Sequence, residues 1–389
     1  MTKTRRILTI ILLIVLPGLC PATEGQLTVK AVNKLPFARL RQTIELSASQ
    51  LAPLGEKDFN KIHVKDDAGK EVLYQAVDTD FDAYHTPDIV IFQVDFGPGE
   101  TKTFTVSTGG KQVYSKDQFK AYGRFVRERF DDFAWENDRI AHRMFGKALE
   151  TWLGEPLTSS SVDVWSKRVS YMVIDGWYMV ANYHVDHGEG LDDYSSGITR
   201  GCGGNGLWAA DKLWVSRNFV NSRVLADGPI RVMFELDYEP FDVNGAKVAE
   251  VKRITLDAGS NLDHFQSFYK PQGGGEPPIS AIGLKKVKDE TKQLNADHGW
   301  LTCWEPMEKN LGMQGVALVV DPKMLQKDTE DKLNSLLLVK AGADNSVSYW
   351  AGFFWDKSGQ FPSYDAWKTY VDQFSQRLAS PVEVSVSAN

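Results

Sequence analysis

Side chains that could perform acid–base chemistry are concentrated in one polar stretch between Asn182 and Asn205. Six glycines interrupt its charged and aromatic residues, which are His184, Asp186, His187, Glu189, Asp192, Asp193, Tyr194 and Arg200. Loops of this composition, when a rigid sheet holds them, are common carriers of catalytic groups. The stretch is therefore the first candidate for a functional site.

Metal and phosphate binding are the two alternatives for this stretch. His184 and His187 are three residues apart, and on a strand they point to opposite faces, so joint ligation needs a turn between them. A divalent metal is therefore not favoured, no cofactor is predicted, and either histidine could be structural. The glycine-rich residues 201–206 lack the Lys-Ser/Thr of a phosphate loop, which favours a tight loop beside a substrate pocket.

A second charged segment, at residues 131–146, surrounds Trp135. As one strand it would place Glu136, Asp138 and His142 on one face and Asn137, Arg139 and Arg143 on the other. Surface salt bridges are the simple explanation for so many charges. The functional alternative is a sugar-binding wall, in which the tryptophan stacks on a ring, carboxylates accept hydroxyl groups and an arginine binds a carboxylate in bidentate fashion.

The residues that precede His184 alternate as in a half-buried strand, which we predict over residues 171–185. Trp177, Met179, Ala181, Tyr183 and Val185 would form its apolar face. Its other face becomes polar toward the end, at Asn182 and His184. The glycines that follow require a loop. A rigid strand would therefore present His184 to a ligand.

The period-2 pattern continues through most of the chain and predicts a mainly β fold. Short alternating runs over residues 26–110 indicate a small β-sandwich, and longer runs at 212–220, 229–238, 247–257 and 262–270 indicate a large antiparallel β-sandwich. A mutarotase-like super-sandwich is one form of this architecture. Helical spacing at 364–378 predicts a C-terminal helix. The predicted divisions are a signal peptide at 1–22, the small sandwich at 23–112 and the large domain at 113–389.

The first residues are typical of an export signal, with a basic start, an apolar run and small residues before Ala22. The run is too short to span a membrane, for which about 20 apolar residues are needed. We expect a periplasmic or secreted protein, and a lipid anchor at Cys20 is the less favoured alternative. Cleavage removes Lys3, Arg5 and Arg6 and no acid, so the net charge changes from −7 to −10.

That acidic balance argues against nucleic acid or an anionic membrane as a partner, because both require a basic surface. A local cationic pocket for an acidic substrate remains compatible with it. Cys202 and Cys303 are the cysteines left after cleavage, and two buried thiols are favoured over a disulfide.

Several long motifs resemble a family of exported bacterial proteins catalogued as a domain of unknown function. These motifs are WENDRIAHR at residues 135–143, YHVDHGEG at 183–190, TRGCGG at 199–204, VSRN at 215–218, GPIR at 228–231 and RITLDAGS at 253–260. The resemblance covers nearly the whole mature chain. It implies a role in polysaccharide degradation, in which one relative acts on ulvan as an oligosaccharide dehydratase.

The resemblance implies loss of water across C4–C5 of a uronic acid at the non-reducing end of an acidic oligosaccharide. Such an enzyme must neutralise the carboxylate, remove the C5 proton and protonate the leaving hydroxyl. Chemistry assigns the base to His184 and the acid to Tyr194 or His142, with Arg139 or Arg200 on the carboxylate. The remaining predicted substrate contacts are Trp135, Glu136, Asn137, Asn182 and His187.

We therefore predict that one pocket is lined by Trp135, Arg139, His142, His184, Tyr194 and Arg200. Three other functions stay open. A polysaccharide lyase would perform the same elimination on a glycosidic bond. A glycoside hydrolase would need two carboxylates, from Glu136, Asp138 and Glu189. A non-catalytic carbohydrate-binding protein would need no histidine base.

Overall fold

The computed structural model describes residues 25–80, 86–154, 156–180, 182–273 and 276–388. Antiparallel strands dominate these residues, and a helix lies near the C-terminus, so the predicted mainly β fold is confirmed. The predicted signal peptide at residues 1–22 and the alternative anchor at Cys20 lie outside the described residues. In the part of the chain that is described, no helix has the length and apolar character needed to cross a membrane.

The strands, in chain order, are β1 (Leu27–Val32), β2 (Arg39–Ser47), β3 (Ile62–Lys65), β4 (Glu71–Val72), β5 (Tyr74–Val77), β6 (Ile89–Phe96), β7 (Thr101–Thr108), β8 (Ala121–Val126), β9 (Asp132–Asn137), β10 (Ala141–Met144), β11 (Val162–Lys167), β12 (Gly190–Leu191), β13 (Cys202–Ala209), β14 (Lys212–Trp214), β15 (Asn221–Ala226), β16 (Arg231–Val243), β17 (Ala246–Asp257), β18 (Leu262–Pro271), β19 (Ile279–Lys285), β20 (Thr291–Asn295), β21 (Trp300–Pro306), β22 (Met313–Val320), β23 (Leu325–Glu330), β24 (Asn334–Lys340), β25 (Ser346–Trp355) and β26 (Glu383–Ala388). The α-helices of the described residues are α1 (Ala48–Leu51), α2 (Ile174–Tyr178) and α3 (Tyr364–Ala379).

The first region of the chain is a small sandwich of two sheets. Its sheets have the strand orders β26-β1-β7-β3-β4 and β2-β6-β5. Side chains alternate between a buried and a solvent face, as in β1, where Leu27, Val29 and Ala31 are buried. The last strand returns to this sandwich, because β26 pairs with β1 from Leu27 opposite Ala388. The division of the chain near residue 112 stays a prediction.

The larger region has two layers around one core. One layer is an eight-stranded sheet with the order β15-β16-β17-β18-β25-β22-β21-β20. The other layer consists of two five-stranded sheets, β12-β11-β10-β9-β8 and β14-β13-β19-β24-β23. Apolar side chains from all three sheets form one buried cluster, in which Phe234 and Phe265 of the first layer meet Phe133 and Ile282 of the second. This face-to-face packing buries one side of each sheet.

Helix α3 covers part of the outer face of the eight-stranded sheet. Its Trp367 and Val371 are buried against Trp300 and Val319. The Ser363 side chain caps its first turn by accepting a hydrogen bond from the backbone N–H of Ala366. The predicted C-terminal helix is therefore confirmed.

One predicted strand is wrong. The described residues of this segment, 171–180 and 182–185, form α2 and a series of turns, although the apolar residues of the sequence alternate. Of the other long strands predicted, β16, β17 and β18 are present close to the expected positions. The strand predicted over residues 212–220 is shorter, because β14 ends at Trp214. The reason for the helix is a long-range contact, described with the site below.

Two glycines have similar positive φ angles but different surroundings. Gly203 lies where two sheets of the larger region approach each other, and Gly245 lies in an open turn. Gly203 in β13 has φ +100°, and a Cβ there would lie 2.2 Å from the Cβ of Ala351 on the facing sheet. Gly245, in the turn between β16 and β17, has φ +87°, and a Cβ at that position would have no heavy-atom neighbour within 4 Å.

We expect Gly245→Ala to lower the free energy of unfolding by only about 1 kcal/mol, the ordinary cost of a side chain in the left-handed region. Gly203→Ala adds overpacking between the sheets and should cost roughly 1–3 kcal/mol more. Chemical denaturation of both variants measures the difference. Equal losses would show that the sheets do not meet at Gly203.

Candidate functional site

His184 lies on the loop between α2 and β12, with half of its side chain exposed (50%). Its Nδ1 is 2.8 Å from the carbonyl oxygen of Asp192 and 3.6 Å from that residue's Oδ2. Because a carbonyl oxygen can only accept, Nδ1 carries the hydrogen in this contact and Nε2 of the neutral ring keeps its lone pair. No described residue forms a hydrogen bond with Nε2. His184 therefore presents a fixed ring with a free basic nitrogen.

Asp192 is held in turn by a buried group of charges around Arg143. The Arg143 guanidinium lies 2.7 Å from Asp163 Oδ2, 3.4 Å from Asp192 Oδ2 and 3.7 Å from Asp132 Oδ2. Burial raises the pKa of Asp132 to about 7 and, together with the neighbouring Asp192, that of Asp163 to about 7. One cation thus serves three acids, and we call these four residues the Arg143 cluster.

The ring of Tyr183 completes the support of His184. Its centroid is 4.5 Å from the His184 ring and 5.2 Å from that of Trp165 in β11. The Tyr183 hydroxyl accepts a hydrogen bond of 3.4 Å from Arg143 Nη1, and so keeps its own proton for donation. The loop is therefore fixed to the Arg143 cluster at two points, Tyr183 and Asp192.

Helix α2 exists because a buried carboxylate caps it from a distance. Oε1 of Glu136 accepts hydrogen bonds of 2.7 and 2.8 Å from the backbone N–H groups of Val173 and Ile174. The first N–H groups of a helix have no partner within it, so this contact favours a helix over a strand here. Lys167 Nζ lies 2.6 Å from Glu136 Oε2 and compensates its charge, with both side chains fully buried.

Two cations lie on the rim of the His184 loop. Arg168 pairs with Asp186, and its guanidinium stands 4.5 Å above the ring of Trp355. Lys309 Nζ is 2.7 Å from Asp193 Oδ1, and about two-thirds of its side chain (66%) is exposed. Both contacts leave N–H groups that can face an anion.

Of the predicted site residues, the structure brings Asn182 and His187 close to His184. Oδ1 of Asn182 accepts a hydrogen bond of 3.2 Å from the His184 backbone N–H. The carbonyl oxygen of Asn182 lies 3.3 Å from His187 Nε2. These three residues form the exposed tip of the loop.

Trp135 and His142 do not belong to this site, which corrects their predicted role. Both are fully buried and their rings are stacked, with centroids 5.1 Å apart. Trp135 Nε1 donates to Asp263 Oδ1 at 2.7 Å, and His142 Nε2 lies 2.9 Å from Asp263 Oδ2. Because Arg143 follows His142 on β10 and points toward His184, His142 faces the opposite side of that sheet.

Glu136 and Asn137 also have structural positions. Residues 138–140 turn the chain between β9 and β10, so Glu136 is opposite Ala141 and lies on the other face from His142. The predicted single strand, with Glu136 and His142 on one face, is therefore wrong. Asn137 Oδ1 accepts hydrogen bonds from the backbone N–H groups of Arg139 and Ile140 and so holds the turn.

Arg200 and Tyr194 are buried as well. Arg200 donates to Ser159 Oγ at 2.6 Å and Ser160 Oγ at 3.1 Å, and burial lowers its pKa to about 10. Tyr194 lies beneath Lys285, whose Nζ is 3.5 Å from the ring centroid, and burial raises the pKa of Tyr194 well above its usual value. Neither side chain reaches solvent next to His184. Arg139 lines a separate groove, described below.

Several residues that build the site have no predicted role in the sequence. Arg143 belongs to the charged segment at residues 131–146, and Tyr183 belongs to the apolar face of the predicted strand. The one available signal was Asp163, an acid within the apolar run of β11. Its partner could not be identified from the sequence, because 20 residues separate it from Arg143.

Metal-ligating side chains converge elsewhere in the described residues. Asp78, Asp80 and Asp88 of the small sandwich bring carboxylate oxygens within 4.8 Å of one another. No such group of the described residues includes His184 or His187. Cys202 and Cys303 are buried free thiols, and burial raises the pKa of each.

Comparison with known proteins connects nearly the whole chain to one family. Residues 32–384 match DUF4861, a domain of unknown function. A protein of Formosa agariphila named uncharacterized protein P7 is 35% identical over 380 residues, which cover 92% of this chain and 93% of that protein.

Two solved structures of Enterococcus faecalis proteins have a distant likeness to the fold. One is a protein in the glycosyl hydrolase family 38, with a TM-score of 0.48 and 9% identity over 95% of this chain and 48% of its own. The other is an alpha-mannosidase, with a TM-score of 0.45 and 9% identity over 94% of this chain and 46% of its own. The chain spans about half the length of these two proteins.

The buried ion pair between Glu136 and Lys167 predicts a large loss of stability in Glu136→Gln. The amide can still accept hydrogen bonds, but Lys167 loses its buried counter-charge, which typically costs about 3–5 kcal/mol. Glu128→Gln is the matched control, because Glu128 pairs with Arg124 at the surface and should cost at most about 1 kcal/mol. Urea denaturation compares the two variants. A loss below about 1 kcal/mol in Glu136→Gln would contradict the buried ion pair between Glu136 and Lys167.

Glu305 in β21 predicts a pH-dependent stability. Burial raises its pKa to about 8, and its Oε2 has no hydrogen-bond partner among the described residues. Because the folded-state pKa is above the unfolded value, the protonated form stabilises the fold below about pH 4.5, and this contribution is lost as the pH rises to about 8.

Glu305→Gln should therefore match the wild type at about pH 4.5 and be more stable at about pH 8.5. The gain should be a few kcal/mol, at about 1.4 kcal/mol for each pKa unit. Denaturation curves at several pH values measure it. Parallel stability profiles of the two proteins would show that Glu305 titrates normally.

Proposed function

The chain belongs to the DUF4861 family, and we propose that it is a carbohydrate-active dehydratase of acidic oligosaccharides. It removes water across C4–C5 of a uronic acid at the non-reducing end and leaves a 4,5-unsaturated uronate. The observation that carries this proposal is the exposed His184, whose Nε2 is free while Asp192 fixes Nδ1. The same proposal includes export to the periplasm or medium, as the signal predicted at residues 1–22 requires.

The elimination has one proton acceptor and one proton donor. Nε2 of His184 takes the C5 proton. The electron pair of the C5–H bond becomes the C4=C5 double bond as the C4–O bond breaks, and the 4-hydroxyl, which receives a proton, leaves as water. We assign that proton to Tyr183, whose ring contacts His184 and whose hydroxyl only accepts from Arg143.

The substrate carboxylate must be neutralised before C5 becomes acidic enough to lose its proton. Arg168 and Lys309, on the rim of the loop, supply this positive charge. Arg168 is partly preorganised, because its guanidinium stacks on Trp355 and pairs with Asp186. In this proposal Arg168 and Lys309 bind the substrate carboxylate, the role that the sequence predicts for Arg139 or Arg200.

The carboxylates considered for a hydrolase give that alternative no support. Glu136 is buried against Lys167, and Asp138 pairs with Arg41 of the small sandwich. Glu189 accepts hydrogen bonds from Tyr171 and from Trp177. Since a hydrolase needs two working carboxylates on either side of one bond, the free histidine favours elimination.

Product analysis tests the proposed reaction. The purified full chain is incubated with oligosaccharides that end in a uronic acid, and the products are followed by absorbance of the unsaturated uronate and by mass spectrometry. Loss of one water without cleavage is the expected result. Cleavage with a new double bond would identify a lyase, and cleavage without a new double bond would identify a hydrolase. If none of the oligosaccharides is converted, a binding protein would be favoured.

Substitution of His184 tests its role as the base. A general base contributes about 10²–10⁴-fold in rate, so His184→Ala and His184→Gln should both reduce turnover at least a hundredfold. Because the side chain is half exposed, the melting temperature should stay within a few degrees of the wild type. His63→Gln, in β3 of the small sandwich and outside the His184 loop, is the control and should keep most activity. Near-normal turnover in His184→Gln would remove the base from this position.

A further inference from the structure

A groove of about 1040 Å³ separates the small sandwich from the outer face of the eight-stranded sheet. Its walls come from β2 of the small sandwich, from β16, β17 and β18 of the sheet, and from α3. None of the residues of the His184 loop lines it. Pockets of this size commonly hold ligands at the boundary between two packed units.

Six arginines line the groove, and three of them have no carboxylate partner among the described residues. Arg39 donates to Asn33, Gln42 and the carbonyl of Ser380. Arg139 donates to Asn261 Oδ1 at 2.7 Å. Each of these acceptors is neutral, so the positive charge of both guanidinium groups is not compensated by an ion pair.

Arg377 is the third arginine without a carboxylate partner in the described part of the chain. Its Nη2 donates weakly to the carbonyl of Ala38 at 3.5 Å, and its buried Nε has no partner there. Arg39 is almost fully buried, since only 1% of it is exposed, whereas Arg139 and Arg377 are half-buried. Two arginines can therefore contact a ligand, while the third adds positive charge behind them.

The other three arginines are already paired and give the groove a rigid frame. Arg231 binds Asp257 and Glu45, which fixes the small sandwich against β16 and β17. Arg41 pairs with Asp138, and Arg253 pairs with Glu235. The unpaired charges thus stand in a preformed site, although the chain as a whole carries a net charge of −7.

Aromatic rings lie beside these charges. The rings of Trp350 and His264 are stacked, with centroids 4.5 Å apart, and Phe374 meets Trp350 edge-on at 6.2 Å. Tyr370 and Phe361 line the adjoining wall, where Arg139 lies 6.0 Å from the Phe361 ring. Sugar rings pack their C–H groups on such faces, while guanidinium groups bind carboxylate or sulfate oxygens.

We infer that the groove is a second binding site, which takes an anionic oligosaccharide through its carboxylate or sulfate groups. Arg139 and Arg377 contact the anion, Arg39 supports them and Trp350 carries a sugar ring. The site holds substrate or product away from His184, and its existence does not depend on the elimination proposed above. The site selects this ligand over a neutral glycan because its guanidinium groups bind the anionic groups of the ligand.

Histidine signals in NMR spectra of the full chain can report the two sites separately, because His264 lies in the groove and His184 in the loop. Short titrations of the wild type follow both signals, whereas long titrations use the His184→Gln background, in which no probe is converted and the His264 signal alone reports binding. The probes are an unsulfated oligoglucuronate, a sulfated neutral oligosaccharide and an unsulfated neutral oligosaccharide of equal length. We expect at least one anionic probe to shift the His264 signal saturably, and the pair of anionic probes identifies carboxylate or sulfate as the preferred group.

Arg139→Gln and Arg377→Gln should each weaken this binding at least tenfold, and added salt should weaken it in the wild type. Arg217→Gln, at an exposed ion pair with Glu150, is the control and should leave it unchanged. If Arg377→Gln does not fold, Arg139→Gln and the salt dependence decide. An unmoved His264 signal, equal affinity for the neutral probe, or undiminished binding in folded variants would overturn the proposal. If the protein has no dehydratase activity but the groove still binds the anionic probe, the groove proposal is supported and only the proposed elimination is contradicted.

Discussion

The burial of Arg143 among Asp132, Asp163 and Asp192 is the interaction on which the His184 site depends. A guanidinium removed from water requires compensation, and these acids supply it from β9, β11 and the residue after β12. Because each acid is itself buried, the geometry allows little rearrangement. The carbonyl of Asp192 that orients His184 is therefore fixed by a charge that substrate never touches.

A second set of buried charges determines the conformation of the segment that contains α2. Glu136 and Lys167 hold the first turn of α2 against the sheet that contains β9 and β11. Trp177 then packs on Trp165, with ring centroids 5.5 Å apart, and the chain runs on to Tyr183. Two sets of buried charges thus hold this polar loop in place, whereas apolar packing holds the strands elsewhere in the molecule. Apolar contacts alone would not orient the polar side chains of the loop.

Much of the framework could be predicted from local pattern, and the site could not. Alternation locates β16, β17 and β18 because each lies between two neighbours with one face in the core. The same alternation at residues 171–185 is misleading, since Glu136 caps a helix from 37 positions away. Burial of Trp135, His142 and Arg200 is likewise decided by strands paired over long separations, which no short segment encodes. Most of the charged segment at residues 131–146 therefore forms internal supports, and Arg139 is its one described residue that lines the groove.

The site and the groove share one design, in which positive groups are held near aromatic rings in an acidic protein. The proposed chemistry of the site depends on the orientation of His184, and the tautomer of this histidine can be measured directly. Nitrogen-15 NMR of the histidine side chains at neutral pH resolves which ring nitrogen carries the proton. We expect a protonated Nδ1 and an unprotonated Nε2 for His184, with the Nε2-protonated form increasing when the protein is unfolded. A proton on Nε2 in the folded protein would contradict the account, because that nitrogen could not then accept the C5 proton.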